Sequence, residues 1–376
     1  MATLLRSRLL KPHPSLSLFS PYRIGALELP NRVVMASMTR GRARNADLAP
    51  TELQAQYYRQ RASAGLIFSE GTWVSARGIG AVHVPGLFSP RQVAGWRLVT
   101  QAVHAAGGRI FAQLGHAGAV SHPDFFGGEA PWAPSAINPN LQAFTAAGLR
   151  PTVTPRAMTT EDIHATIEDY AAAACHAIDA GFDGVELHAS MTYLMAEFLN
   201  SSFNLRKDSY GGSAENRVRL IVEVMDTLID AWGPWRVGIK IHPTVQMGDF
   251  APNEQTRETY DVLIEQLNGR ALSHLQVVRA RADLTNTPAH IMQDTIAYFR
   301  QRYRGTLIAN GGFDQASANA LLEQGGADLV SFATPFIGNP DLVHRFRHGL
   351  ALASSDAKTY YQGDTTGYID YPYADA

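Results

Sequence analysis

Eight short, mostly apolar runs recur along the chain, and each is followed by a segment with helical periodicity. These runs are Arg32–Ala36, Leu66–Glu70, Ile110–Leu114, Gly184–Leu187, Val237–Ile241, His274–Val278, Thr306–Ala309 and Leu329–Phe332. Strands that alternate with helices pair in parallel, and eight such units close into a barrel. The sequence therefore predicts an α/β fold, a (β/α)8 TIM barrel with eight parallel strands.

The connecting helices are readable from residues that favour helix starts and stops. They are predicted over Pro90–Ala106, Thr160–Ala180, Ser213–Trp232, Asn253–Leu267 and Asp314–Gln324. Several of them stop at a glycine, such as Gly107 or Gly233. A doubly wound sheet would also alternate strands and helices, but no Gly-x-Gly-x-x-Gly follows the first strand, so the barrel is favoured.

Two segments are predicted to cover the barrel. Residues 115–159, between the third strand and the third helix, are rich in Pro, Gly and Asn. A loop of this length is usually functional, so we interpret it as a lid over the carboxyl ends of the strands. Residues 351–376 carry five tyrosines and are predicted to form a second covering segment.

The domain organisation follows from the absence of a recognisable linker. We predict one barrel domain over residues 18–376, preceded by an N-terminal tail of residues 1–17. The first 27 residues contain basic side chains and no acid before Glu28, a composition that transit peptides share. A flexible tail is the favoured interpretation.

Composition limits the partners. The chain is 45% hydrophobic and 18% charged with a net charge of −2, which gives no indication of nucleic acid or a charged membrane surface. We expect a small-molecule substrate, no nucleic acid partner and no membrane association; the oligomeric state stays open. The single Cys175 excludes disulfide frameworks and cysteine-based metal sites, and no metal site is predicted. A cytoplasmic location is expected, with Cys175 buried in a helix.

The candidate chemistry lies at predicted strand ends, where barrel enzymes hold their active sites. The fourth run leads directly into His188, which is therefore aimed out of the barrel. The last two strands run into Gly311-Gly312 and Ala333-Thr334. Loops at these two positions commonly bind phosphate, because glycine lets backbone N–H groups approach an anion closely. The alternative, glycines that only turn the chain, weakens because both loops follow corresponding strands.

Several sequence motifs are specific enough to be compared with those of a known protein family. The block Tyr210-Gly211-Gly212-Ser213 to Glu215-Asn216-Arg217 is the most specific, supported by Leu18-Phe19-Ser20-Pro21 and by residues 367–372. In these motifs the chain resembles the old yellow enzyme family, FMN-dependent NADPH dehydrogenases and ene reductases built on a (β/α)8 barrel. The resemblance covers nearly everything after the first seventeen residues. It implies FMN as cofactor and NADPH as hydride donor.

The resemblance implies a cofactor site at the barrel mouth. Its residues would be Ser37, Met38, Thr39, Gly71, Gln113, Lys240, Gly311, Gly312, Ala333 and Thr334. Thr39 would bond a ring carbonyl, Gln113 would bind the pyrimidine edge, and Lys240 would place positive charge where reduced flavin is anionic. As an alternative, Gln113 and Lys240 could be interior residues that pair with each other.

The same resemblance assigns the catalytic residues. His188 is similar to the family's carbonyl-binding residue, and Tyr193 to its proton donor, so hydride would add to the β-carbon and a phenol would protonate the α-carbon. Substrate binding is assigned to His188, Met191 and Tyr361. The family usually has a second donor, His or Asn, at position 191, where methionine cannot donate a hydrogen bond.

Other departures concern the pocket and the phosphate. The family's bulky or charged pocket residues are replaced by Ala81, Gly115 and Ala119, which empties one side of the site. The arginine that usually holds the flavin phosphate is replaced by Thr334, which predicts weaker FMN binding unless another arginine, such as Arg279 or Arg281, compensates.

These observations predict an FMN-dependent oxidoreductase that reduces the C=C bond of a bulky α,β-unsaturated carbonyl compound with NADPH, in a biosynthetic pathway. A redox-neutral isomerase or cyclase on the same barrel is the alternative, using His188 and Tyr193 as acid–base groups with flavin as scaffold or absent. A non-catalytic binding protein is a third hypothesis, against which the retained Tyr193 and Thr39 argue.

Overall fold

A closed barrel of eight parallel strands forms the centre of the computed structural model, which describes residues 16–280 and 292–374. The barrel strands are β1 (Val33–Met35), β2 (Leu66–Phe68), β3 (Ile110–Gly115), β4 (Gly184–Ala189), β5 (Val237–Ile241), β6 (His274–Val278), β7 (Leu307–Asn310) and β8 (Leu329–Phe332). Each strand pairs in parallel with the next, and β8 pairs with β1 to close the ring. The predicted fold is confirmed, with strand ends shifted by two residues at most.

The amino end of the barrel is apolar. Nine buried side chains fill it, namely Ile24, Leu27, Leu29, Val34, Leu66, Phe68, Phe111, Ile308 and Leu329. Three of them come from an antiparallel hairpin, Tyr22–Ile24 with Leu27–Leu29, which covers this end. Burying this many large apolar side chains contributes strongly to stability, at about 1.5–3 kcal/mol for each. Polar chemistry is thereby restricted to the carboxyl end.

Ten helices lie within the described residues. They are α1 (Glu52–Gln60), α2 (Pro90–Ala105), α3 (Thr160–Asp179), α4 (Leu194–Leu199), α5 (Ala214–Trp232), α6 (Thr256–Asn268), α7 (Thr295–Arg302), α8 (Gln315–Glu323), α9 (Thr334–Gly338) and α10 (Leu342–His348). The cap predictions explain their ends: the Ser213 side chain accepts from the Asn216 N–H at the start of α5, and Gly233, with a φ of 74°, ends it.

The expectation for Cys175 was wrong. Helix α3 buries Ala173, Ala174 and Ala177 against the barrel, whereas Cys175 is exposed. Successive helix residues are rotated by 100° around the helix axis, so Cys175 can point to solvent although Ala174 and Ala177 are buried. A run of alanines gives no indication of which helix face is buried.

The lid over residues 115–159 has structure of its own. It contains a hairpin, Gln142–Thr145 with Gly148–Pro151, and a short parallel pair, Trp132–Ala133 with Arg156–Ala157. Its backbone is bonded to the loops after β2 and β5: the Val82 N–H donates to the Phe144 carbonyl (3.0 Å), and the Asp249 N–H to the Pro139 carbonyl (3.0 Å). The lid therefore lies over the carboxyl ends of the strands, as predicted.

Two buried arginines hold the C-terminal covering segment. The Arg42 guanidinium donates to the carbonyls of Thr359 (2.7 Å), Tyr360 (2.8 Å) and Gln362 (2.6 Å). Arg40 donates to the Tyr360 carbonyl (3.0 Å) and the Gly367 carbonyl (2.8 Å). Hydrogen bonds from a charged donor are the stronger class, so this segment is firmly attached beside the barrel mouth.

Within the described residues, no helix has both the length and the apolar character that crossing a membrane requires. Most of the predicted tail lies outside the described residues, as do Arg281 and residues 375–376. The division into a tail and one domain over residues 18–376 stays a prediction.

We predict that Arg42→Ala loosens the covering segment. The change removes the charged donors of several segment carbonyls, so chymotryptic cleavage after Tyr360 or Tyr361 should become about tenfold faster, corresponding to roughly 1.4 kcal/mol of local opening. Arg44→Ala is the matched control, because Arg44 contacts the same segment only through an exposed 3.7 Å ion pair with Asp364. Equal cleavage rates in the two variants would contradict the assigned role of Arg42.

Candidate active site

The barrel brings the predicted site residues together at its carboxyl mouth. His188 of β4 lies in register with Lys240 of β5, and Gln113 of β3 faces the mouth one strand away. Gly71 completes this group, because a Cβ built on it would lie 3.6 Å from Gln113 Oε1 and 4.0 Å from His188 Cδ2. Any side chain larger than alanine there would fill the space between the two functional groups.

Ser37, Met38 and Thr39 follow β1 directly and are half-buried. They form the rim of the mouth beside Gln113, and the Ser37 hydroxyl donates to Gln113 Oε1 (2.7 Å). The first strand end therefore lies at the barrel mouth, next to Gln113.

A buried carboxylate that the sequence analysis missed lies beneath this group. Glu186 Oε1 accepts from Gln113 Nε2 (2.7 Å), and Glu186 Oε2 lies 2.9 Å from His274 Nε2 and accepts from Gln276 Nε2 (2.5 Å). The alternative in which Gln113 and Lys240 pair with each other is wrong, because the partners of Gln113 are Ser37 and Glu186. The available signal was an acidic residue inside the otherwise apolar run Gly184–Leu187.

The charge states of Glu186 and Lys240 depend on each other. Burial alone would raise the pKa of Glu186, but the His274 hydrogen bond and the nearby Lys240 charge outweigh it and hold that pKa below its usual range. Burial lowers the pKa of Lys240, and the Glu186 charge opposes the shift. The result is an ionised carboxylate below a cation that reaches the mouth.

His188 is a neutral hydrogen-bond donor. Burial, with the Lys240 charge as a second cause, lowers its pKa to about 3. Its Nδ1 accepts from the Ser190 N–H (3.4 Å), which favours the tautomer with the ring hydrogen on Nε2. The imidazole can therefore polarise a carbonyl oxygen at neutral pH, but it is not an imidazolium that could give up a proton.

Tyr193 lies beside His188, with a distance of 4.8 Å between ring centroids, and also contacts Trp73 (5.9 Å). It is the N-cap residue of α4. Burial raises the pKa of Tyr193 to about 12, with the neighbouring Tyr361 as a second cause. The phenol thus stays protonated until a strong base forms next to it. Tyr361 is 56% exposed, at the outer edge of the site.

Met191 has a strained backbone, with a φ of 59°, and its side chain is 37% exposed. Asn and His occupy this left-handed region more readily than Met does. The space beside His188 is open as well, since a Cβ built on Gly115 would meet only His188 Cβ, at 3.7 Å. The structure thus places both departures, the lost donor and the lost bulk, around His188.

The double-glycine loop after β7 presents N–H groups on one side. Arg279 donates to the carbonyls of Gly311 and Gly312, the latter at 2.8 Å, and its guanidinium lies 4.0 Å from the Phe313 ring centroid. In a trans peptide the next N–H points away from the carbonyl, so the Gly312 and Phe313 N–H groups face away from Arg279. Neither has a hydrogen-bond acceptor among the described residues.

Successive N–H groups of this kind bind anions such as a phosphate. Arg279 accordingly supports the loop from its carbonyl side and does not replace the missing phosphate arginine. Ala333 and Thr334 lie at the corresponding end of β8, where Thr334 is the first residue of α9. The described residues therefore fit FMN: unpaired N–H groups for a phosphate, an oriented amide at Gln113 and a cation at Lys240.

Comparisons with known proteins identify the family. A family model described as the NADH:flavin oxidoreductase / NADH oxidase family matches residues 17–353. The chain belongs to this family. It is 37% identical over 383 residues to flavin oxidoreductase hxnT of Emericella nidulans, covering 95% of this chain and 97% of the relative. It is also 37% identical over 364 residues to a putative 12-oxophytodienoate reductase 3 of Oryza sativa subsp. japonica, covering 96% and 93%.

Solved structures agree. Morphinone reductase superposes on this chain with a TM-score of 0.90 at 42% identity, covering 98% of both chains. An old yellow enzyme homologue from Zymomonas mobilis superposes with a TM-score of 0.90 at 38% identity, covering 95% of this chain and 99% of that chain. The old yellow enzyme resemblance is confirmed, and the protein is an FMN-dependent NAD(P)H oxidoreductase.

A second buried carboxyl group attaches the helix that follows Tyr193. Glu197 of α4 accepts at Oε1 from the Ala119 N–H (2.8 Å), and its Oε2 is buried without a partner. The Leu194 N–H donates to the His116 carbonyl (3.1 Å), so two bonds join the start of α4 to the loop after β3. Burial raises the pKa of Glu197 well above its usual range, and burial therefore favours the neutral carboxyl group.

We predict that Glu197→Gln stabilises the protein in a pH-dependent way. The folded-state pKa is raised, so the native protein is penalised as pH rises above the unfolded value of roughly 4.3, where only the unfolded chain ionises. Glutamine is neutral in both states. The variant should match the wild type near pH 4 and exceed its free energy of unfolding by a margin that grows as the pH rises to 8.

Urea unfolding at the two pH values measures this difference. Glu265→Gln, at an exposed position on α6, is the control and should change little at either pH. A pH-independent effect of Glu197→Gln would show that the carboxyl group is ionised in the native state.

Proposed function

We propose that the protein is an ene reductase that uses NADPH and FMN to reduce the C=C bond of a bulky α,β-unsaturated carbonyl compound. The observation that carries the proposal is the pairing of a neutral Nε2–H donor, His188, with a high-pKa phenol, Tyr193, 4.8 Å away at the mouth. This pair suits a reaction in which an oxygen gains negative charge and a carbon then gains a proton.

Each residue has a distinct task in this proposal. His188 would hold the substrate carbonyl through Nε2–H and stabilise the negative charge that grows on the oxygen. FMN, when bound and reduced by NADPH, supplies the hydride for the β-carbon. Tyr193 would give its phenolic proton to the α-carbon, which is basic enough to take it, and would regain a proton from solvent.

The cofactor residues are assigned by the same reasoning. Lys240 would lie near the part of the flavin that is negative when reduced, and Gln113 would bind the pyrimidine edge. Thr39 would bond a ring carbonyl, while the N–H groups after Gly311 would bind the phosphate. Position 334 is a threonine, and Arg279 donates to carbonyl groups, so neither residue offers the phosphate a charge-assisted fork. FMN should therefore bind more weakly than it would with an arginine on its phosphate.

Substrate size follows from the open side of the pocket. Gly115 leaves the space next to His188 unfilled, and Met191 offers a soft apolar contact in place of a second donor. Relatives named for 12-oxophytodienoate and morphinone support a bulky enone-type substrate. A biosynthetic role and a cytoplasmic location belong to the same proposal, the latter on the strength of a single cysteine among 376 residues.

The redox-neutral alternative is weaker on one specific observation. An isomerase would need His188 to take up and return protons near neutral pH, and a pKa of about 3 makes this imidazole a poor base and almost never an acid. Anaerobic addition of NADPH to FMN-loaded protein separates the two functions. Bleaching of the flavin absorbance, followed by its return on adding an enone, supports the reductase.

We predict that Tyr193→Phe separates the two half-reactions. Flavin reduction by NADPH uses no proton from the phenol and should keep its rate within about twofold, whereas reoxidation by an enone should slow by at least about a hundredfold, as expected for loss of a general acid. Stopped-flow absorbance measures both steps in one sample, so the first serves as control for the second. Unchanged reoxidation would remove Tyr193 from the mechanism.

We predict that Met191→His or Met191→Asn accelerates the reduction of small cyclic enones by at least about tenfold, because a second donor would share the developing oxyanion. Both residues also tolerate the left-handed backbone at this position. Met191→Leu is the matched control, an apolar side chain of similar size with no donor, and should give no gain. A wild type that is already fast, with no faster His variant, would contradict the one-donor site.

A further inference from the structure

The carboxylate of Glu186 is completely buried in the barrel, yet it touches none of the positions where substrate would bind. Its two oxygens are bonded to Gln113, His274 and Gln276, which come from β3 and β6. Gly238 makes this arrangement possible, because a Cβ built there would lie 2.0 Å from His274 Cε1. The absence of a side chain at Gly238 on β5 therefore lets the His274 imidazole reach the Glu186 carboxylate.

The bonding pattern permits one orientation of the Gln113 amide. An ionised carboxylate only accepts hydrogen bonds, so it must face the NH2 group of Gln113. Oε1 of Gln113 then faces Ser37, whose hydroxyl donates to it (2.7 Å). A flipped amide would place its carbonyl against the carboxylate and lose the Glu186 bond, although the Ser37 hydroxyl could then accept from the amide. The mouth is thus presented with a defined arrangement of one donor and one acceptor.

The same carboxylate balances the cation at the mouth. In the described part of the chain the Lys240 ammonium group has no hydrogen bond and no ion pair within 4.0 Å, although its side chain is buried. Lys240 is one layer above Glu186, since it pairs in register with His188, two residues further along β4. Glu186 is therefore a countercharge for Lys240 without occupying its donors, which stay available to a ligand.

We propose that Glu186 is a positioning residue of the FMN site, which fixes the donor and acceptor of Gln113 and sets a buried negative charge that disfavours reduced, anionic FMN relative to oxidised FMN. The inference rests on the proposed function, since it requires FMN at this mouth. It assigns to an interior residue, distant from the substrate, a share in setting the reduction potential. A charge in a low-dielectric interior acts over several ångströms, so contact with the flavin is not needed.

Glu186→Gln and Ser37→Ala separate the two effects. Glu186→Gln removes the charge and the constraint on the amide. It should raise the affinity for reduced FMN relative to oxidised FMN at least about tenfold, which corresponds to a midpoint potential about 30 mV higher for the two-electron couple. Ser37→Ala leaves the charge in place and removes one bond to Gln113. It should weaken the binding of oxidised FMN about fivefold and leave the midpoint potential unchanged, which means that the binding of reduced FMN weakens to the same extent.

The measurements are fluorescence titration of FMN into the apoprotein and redox titration of the loaded protein. A wild type that binds FMN, with the same potential in Glu186→Gln, overturns this inference and leaves the proposed function intact. A wild type that binds no FMN overturns both. Should Glu186→Gln not fold, Ser37→Ala decides: unchanged FMN affinity there means that the network does not orient Gln113, and the proposal fails.

Discussion

The structure depends on one buried anion. A carboxylate without water is stable only when hydrogen bonds and a countercharge replace its hydration, and Glu186 obtains these from side chains on β3 and β6 and from Lys240. Gly238 leaves room for His274 to approach, and Gln113 is held in one orientation. Lys240, in turn, is one reason that His188 stays neutral. The properties of the mouth therefore follow from a residue one layer of side chains below it.

The barrel interior and the loops above it have different roles. The amino end of the barrel is apolar and covered by a hairpin, and the polar network lies above it, from His274 at the start of β6 to the mouth. The loops above that end are attached through backbone groups, with Arg42 binding carbonyls of the C-terminal segment and Glu197 binding the Ala119 N–H. Side chains that face the mouth are consequently left for chemistry, and the surrounding backbone is held by residues that take no part in it.

The chemistry of the site is that of neutral donors. His188 and Tyr193 are both uncharged at neutral pH, while the charged groups are Lys240 at the mouth and the buried Glu186 below it. Relative to the family pattern, the oxyanion loses one donor at Met191, and the pocket gains space at Gly115. Under the proposed function, such a site would favour large substrates over small, reactive enones, because a large substrate can recover transition-state binding through contacts remote from the alkene.

How much of this could be read from the residues differs from element to element. The eight strands were predictable because a strand buried on both faces is a continuous apolar run, and the helices between them show their caps and glycine stops. His188, Tyr193 and the glycine loops were predictable because strand ends and specific motifs mark them. The exposed face of Cys175 was not, since alanines pack on either side of a helix equally well.

What the sequence determined by itself is therefore the order of strands and helices and the identity of the groups at the mouth. The tertiary structure alone decided how those groups are held. Glu186 lies 73 positions from Gln113, 88 from His274 and 90 from Gln276. Only closure of the barrel brings these side chains within 3 Å, and without that closure nothing distinguishes Glu186 from an acid at the edge of a strand. The same reason explains Arg279, whose side of the glycine loop depends on how β6 and β7 pair.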